Sequence, residues 1–113
     1  MIKPNDPRDL VINLLARSQC NVQVAAVIVD TRGRIMSWGW NGQGSDGLGL
    51  CAERMAIKRA NKDRLFGSVV FVAGKWRKSG KFVSAKPCEK CQRVLTNRGM
   101  IYMYRDEQGR WQV

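Results

Sequence analysis

The sequence predicts an α/β fold, a three-layer sandwich with a central mixed five-stranded sheet flanked by helices and with the last two strands antiparallel. Three observations carry that expectation. Apolar stripes at helical spacing alternate with short β-branched runs along the chain. The segments between them are brief and rich in turn residues. Only a few residues join the last two strand-like runs, too few for the crossover of a dozen or more that a parallel pair needs.

The first helix is expected over Arg8 to Ser18, where Asp6 offers an N-cap, Pro7 suits the first turn, and Leu10, Val11, Leu14 and Leu15 form one apolar stripe. Val22 to Val29 is a near-continuous β-branched run, the pattern of a strand buried on both faces. A turn at Asp30–Gly33 leads into a returning strand over Arg34 to Trp40. Residues Asn41 to Leu50 carry too many glycines for regular structure. A second helix follows over Ala52 to Asn61, then a third strand over Ser68 to Ala73. The basic stretch Gly74 to Ser84 contains a turn at Ser79-Gly80. Pro87 opens a third helix that runs from Cys88 to about Asn97, with Gly99 closing it. Strands over Met100 to Tyr104 and Arg110 to Val113 enclose a turn at Asp106–Gly109.

With 113 residues, the chain reads as a single domain over 1–113. No apolar run approaches the roughly 18 residues needed to cross a bilayer. The segment MIKPNDPRD lacks the apolar stretch of a signal peptide. A cytoplasmic protein with no membrane partner is the expectation. Twenty basic residues stand against nine acidic ones, a net charge of +11 that favours phosphorylated or polyanionic partners. There is no histidine, so a general base or metal site here must be built from carboxylate and thiolate.

Two segments carry such groups, Cys51-Ala52-Glu53-Arg54 and Pro87-Cys88-Glu89-Lys90-Cys91. Each puts cysteine at the expected start of a helix, where the dipole and free N–H groups favour the thiolate that binds metal. Cys88 and Cys91 are three residues apart on one helix, so both sulfurs can reach one ion. Cys51 would be a third ligand. Three protein ligands leave one corner of a zinc tetrahedron open, the pattern of a catalytic site with one Zn²⁺ per chain. Glu53, two residues beyond the first ligand, suits a proton shuttle for a water at that corner. A lone Cys-x-x-Cys is also compatible with a structural zinc knuckle or a redox pair. A structural site wants a fourth ligand, however, and the spare cysteine, Cys20, reads as an ordinary small residue closing the first helix.

On these motifs the sequence resembles the cytidine deaminase superfamily, from the Val22 strand to the final hairpin. Within it, Cys51-Ala-Glu-Arg54 and Pro87-Cys88-Glu-Lys-Cys91-Gln-Arg-Val-Leu95 are most similar to the nucleoside cytidine deaminases. The resemblance implies a cytidine deaminase-like fold and a zinc-dependent hydrolytic deamination in which water attacks C4 of the pyrimidine and ammonia leaves. Three thiolates and one Zn²⁺ sum to a charge of −1, which a nearby cation would offset. Arg54 is the candidate, and the resemblance implies the same role.

On the substrate side, the resemblance implies that Asn41 anchors ribose or base, with Trp40, Gln43 and Ala52 beside it. Nucleoside deaminases typically carry Asn-x-Glu here, whereas this chain reads Asn41-Gly42-Gln43, an amide in place of the carboxylate. Lys75, Arg77, Lys78 and Lys86, interleaved with Trp76 and Phe82, are candidate phosphate or nucleic-acid contacts.

Three functions follow from these features. The first is deamination of cytosine in a cytidine or deoxycytidine nucleoside or nucleotide. The second is deamination of cytosine or adenine in single-stranded nucleic acid or tRNA, favoured by the charge and by Gly39-Trp40-Asn41, which resembles the segment before the zinc motif in tRNA adenosine deaminases. The third is a non-catalytic zinc-binding module, against which the intact Glu53 argues. The resemblance also implies a homo-oligomer, a dimer or tetramer whose neighbours help cover the pocket.

Overall fold

The computed structural model describes residues 6–43 and 49–113. Helix α1 (Pro7–Leu14) starts as its sequence dictates: the Asp6 carboxylate accepts from the Arg8 backbone N–H at 2.9 Å, and Pro7 occupies the first turn. Its last turn tightens into a 3₁₀ turn over Leu15–Arg17, so the α-helix is shorter than the run of helix formers. Strands β1 (Val22–Val29) and β2 (Ile35–Trp40) form an antiparallel hairpin.

The glycine-rich segment departs from the expectation of no regular structure. Gly42–Gln43 (β3) and Gly49–Leu50 (β4) pair as a small antiparallel ladder, while residues 44–48 lie outside the described residues. Helix α2 (Ala52–Arg59) follows, then β5 (Val69–Trp76), β6 (Phe82–Val83), α3 (Glu89–Asn97), β7 (Ile101–Arg105) and β8 (Trp111–Gln112). Strand β5 runs three residues past the expected Ala73. The basic stretch folds back as a hairpin: β6 pairs with Gly74 and Lys75, Gly80 takes φ +72°, and the Trp76 N–H donates to the Lys81 carbonyl at 2.9 Å.

The main sheet has the order β2-β1-β5-β7-β8, the five expected strands, with β6 as a short addition beside β5. It is mixed: β5 and β7 are parallel across the α3 crossover, and the other neighbours are antiparallel, including the closing pair β7–β8. Alternation along β1 produces the three layers. Ala25, Val27 and Val29 face Val11, Leu14 and Leu15 of the α1 segment. Ala26 and Ile28 join Ala52, Ala56 and Ile57 of α2, and Leu95 of α3, on the opposite face. The closing hairpin is fastened to the α1 side by Trp111, whose ring meets Phe71 edge-on at 5.7 Å.

One glycine sets the position of α2. A methyl group at Gly39 would stand 2.7 Å from the Ala56 nitrogen and 2.8 Å from both the Ala52 carbonyl oxygen and Met55 Cβ. Only a residue without Cβ lets the helix backbone lie directly on β2. The contact is reinforced by Ser37 Oγ donating to the Ala56 carbonyl at 2.8 Å.

Candidate metal centre and catalytic cavity

Helices α2 and α3 pack on the same face of the sheet and bring their N-termini together. Cys51 is the N-cap residue of α2 and Cys88 that of α3, both with extended backbone, and Cys91 sits in the first turn of α3. The Sγ atoms of Cys51, Cys88 and Cys91 all lie within 4.8 Å of one another. Zinc–sulfur bonds of about 2.3 Å require sulfurs about 3.8 Å apart in a tetrahedron, so the cluster fits zinc after a small contraction. Among the described residues, no fourth histidine, cysteine or carboxylate joins the group. This donor set is one that leaves a position open for water.

The sulfurs differ electrostatically. The Cys91 backbone N–H beside the Cys88 sulfur holds that thiol below its ordinary value. Burial, followed by the nearby Glu53 charge, pushes Cys91 up. Glu53 itself is only 5% exposed, and burial raises its carboxyl above the usual range. A buried carboxyl group beside three sulfurs is costly for folding alone and favours a cation at that place.

These groups line a cavity of about 300 Å³. Val22, Val24, Ala52, Val83, Ala85 and Pro87 supply its apolar walls, a slot suited to a flat base. The polar groups are Glu53, Asn41, Ser84, Lys86 and the cysteines, Cys20 included. The β1 and β6 walls are not singled out in the sequence, where Cys20 reads only as a small residue closing the first helix. Cys20 stands beyond the 3₁₀ turn rather than inside a helix, and a valine run carries no mark of whether it faces core or ligand.

The four substrate-side residues selected from the sequence fall into three places. Asn41 and Ala52 line the cavity. The Asn41 side-chain oxygen accepts from Ser18 Oγ at 2.5 Å and from the Val24 N–H at 2.9 Å, and its amide nitrogen donates to the Val22 carbonyl at 2.8 Å. Asn41 is thus a clamp on the start of β1, and among the described residues its amide makes one of the two donations it is capable of. Trp40 lies outside this cavity, with the guanidinium groups of Arg17 and Arg59 over its ring. Gln43 contributes its backbone to the small ladder.

Arg54 is half-buried beside Glu53 on α2 and is absent from the cavity lining. Of the four basic candidates, Lys86 alone reaches the catalytic cavity. Lys75 lies within β5, and Arg77 and Lys78 lie on the adjoining turn, where Arg77 donates to the Gln19 carbonyl at 3.1 Å. Among the described residues, no helix is long and apolar enough to cross a membrane.

Comparison with known proteins agrees with this geometry. The family model for the cytidine and deoxycytidylate deaminase zinc-binding region matches residues 9–104. No curated protein sequence matches the chain. The fold is similar to that of cytidine deaminase from Burkholderia pseudomallei, with a TM-score of 0.67 at 18% identity over 94% of this chain and 87% of the other. It is also similar to cytidine deaminase from Mycobacterium tuberculosis, with a TM-score of 0.60 at 21% identity over 92% and 85% of the two chains. For dCMP deaminase from the cyanophage S-TIM5, the TM-score is 0.62 at 20% identity over 93% and 86%. The family match covers both cysteine motifs, and the fold brings those motifs together around one metal position. The chain therefore belongs to the cytidine and deoxycytidylate deaminase family, with zinc as the metal its three cysteines are built to hold.

Proposed function

We propose that the protein hydrolyses the exocyclic amine of cytosine in a cytidine or deoxycytidine nucleoside or nucleotide, giving uracil and ammonia. The observation that carries the reading is the buried Glu53 in the same cavity as the three-sulfur cluster. Zinc, when bound by Cys51, Cys88 and Cys91, supplies the Lewis acidity that makes water a nucleophile near neutral pH.

The protein's own residues supply the rest. The aliphatic walls hold the pyrimidine and exclude bulk water, and the Asn41 side chain and the Ala52 backbone orient it. Glu53 moves one proton from the attacking water to the ring nitrogen, then takes the second from the hydroxyl now on C4 and delivers it to the amine, which departs as ammonia. Water's oxygen ends on C4, and the C4–N bond breaks. Arg54 balances the charge of the thiolates. The four cysteines are free thiols, which suits a reducing cytoplasm, and the exposed Trp38, Phe66 and Ile101 suit a homo-oligomer.

The test is ammonia release from zinc-loaded protein offered cytidine, deoxycytidine, their monophosphates and single-stranded DNA or RNA. Wild type should turn over at least one cytosine substrate, and Glu53→Gln should lose about 10²- to 10⁴-fold in kcat while keeping one zinc per chain. Unimpaired turnover by Glu53→Gln would remove the assigned proton shuttle.

A further inference from the structure

A second cavity, of about 360 Å³, adjoins the catalytic one and shares Cys20, Asn41 and Gly42 with it. Its remaining walls are Arg17, Gln19 and Trp40. The chemistry changes across the shared residues. The catalytic side is mostly aliphatic, whereas this annex presents a guanidinium and an indole and, among the described residues, no carboxylate.

Arg17 is held in place by Trp40, its guanidinium carbon 5.5 Å from the ring centroid. A second guanidinium, that of Arg59, lies 4.8 Å from the same ring. A third, on Arg77, reaches the rim by donating to the Gln19 carbonyl. Among the described residues, none of these three arginines is ion-paired; the four ion pairs involve Arg8, Arg34, Arg64 and Arg93. Of the three, Arg17 lines the annex itself, Arg77 touches its rim through Gln19, and Arg59 lies outside its lining. An uncompensated planar fork pre-set by an aromatic face matches phosphate oxygens, which makes the annex an anion site. Because Trp40 already carries two cations, its role is to hold them rather than to stack a base.

We infer that the annex is a phosphate subsite of the substrate, entered by a phosphate group while the cytosine occupies the adjoining catalytic cavity. This rests on the deaminase reading. The phosphate has two sources, a mononucleotide or a single-stranded polynucleotide, and the test separates them.

The experiment measures kcat/KM for cytidine, cytidine 5′-monophosphate and a short single-stranded oligonucleotide bearing one cytosine. It uses zinc-loaded wild type, Arg17→Gln, Arg17→Lys and Lys86→Ala. Arg17→Gln should lower the ratio of phosphorylated substrate to cytidine by tenfold or more, mainly through KM, and Arg17→Lys should restore part of it. A loss confined to the monophosphate identifies a mononucleotide; a loss confined to the oligonucleotide, with steep salt dependence, identifies the polynucleotide. An equal loss on cytidine would mean that Arg17 acts only through the fold and would overturn the inference. So would a phosphate preference carried by Lys86 instead. If no cytosine substrate is turned over, the deaminase reading itself has failed. Calorimetric binding of cytidine 5′-monophosphate against cytidine then decides the annex: a phosphate-dependent affinity lost in Arg17→Gln supports it, and its absence refutes it.

Discussion

Replacing Gly39 with alanine is the sharpest probe of how the fold builds the site, because Gly39 touches neither metal nor substrate cavity. Its backbone does not require glycine, since its φ is not positive. The only obstacle is steric. The new methyl would sit 2.7 Å from the Ala56 nitrogen, where ordinary contact begins at 3.4 Å, so α2 must retreat by about 0.7 Å (3.4 − 2.7). Two of the three obstructing atoms are helix backbone, so no side chain can turn aside to absorb the clash. Overpacking of this kind costs about 1–3 kcal/mol. The retreat also shifts Cys51 and Glu53, at the start of α2, relative to Cys88 and Cys91 at the start of α3. A displacement approaching 1 Å at a catalytic group costs about 10²-fold in rate. Denaturant titration, zinc stoichiometry by atomic absorption and kcat/KM should all move together. A Gly39→Ala protein with wild-type stability, full zinc and full turnover would refute the claim that close approach of α2 to β2 positions the centre.

Other perturbations are simpler. Cys51→Ser should drop zinc content well below one per chain and abolish the rise in Tm that added zinc gives wild type, read by scanning calorimetry. Asn41→Ala leaves the Val24 N–H, the Val22 carbonyl and Ser18 without their partner, a cost on the order of 3 kcal/mol in urea unfolding. Asn41→Asp should be worse, since it turns an acceptor toward the Val22 carbonyl. Arg54→Gln should lower turnover at unchanged zinc content, and equal turnover would discard its charge-balancing role.

Asp30 provides the pH test. Backbone N–H donation from Arg34, then from Arg32, with the guanidinium charges of Arg34 and Arg64, holds its carboxyl below the usual value of 3.8. A depressed folded value means that its contribution is full above about pH 4 and fades as pH falls through the lower folded value. Asp30→Asn should therefore be less stable than wild type at pH 7, with the gap closing in strong acid. A gap independent of pH would contradict this linkage.

Much of the fold was readable before any coordinates, because its signals are local. The β1 run, with both ends as expected, is legible from β-branched residues buried on both faces. The antiparallel closing hairpin followed from loop length alone. The 42–50 ladder and the extension of β5 to Trp76 were not legible, since pairing with a distant or glycine-rich partner leaves little local pattern.

The same division runs through the site. Residue type and spacing were enough to pick out the three cysteines that cluster and the glutamate beside them, because two motifs at helix starts, in a chain without histidine, leave few other ways to build such a centre. Tertiary structure alone decided what surrounds it. Lys86 reaches the catalytic cavity while Lys75, Arg77 and Lys78 do not, Cys20 joins its wall, and Trp40 lies under two arginines, one of which, Arg17, lines an adjoining annex. Metal ligands announce themselves through residue type and short spacing. Which wall a valine, a lysine or a tryptophan faces is set by strand register and helix docking, which act between residues far apart in the chain.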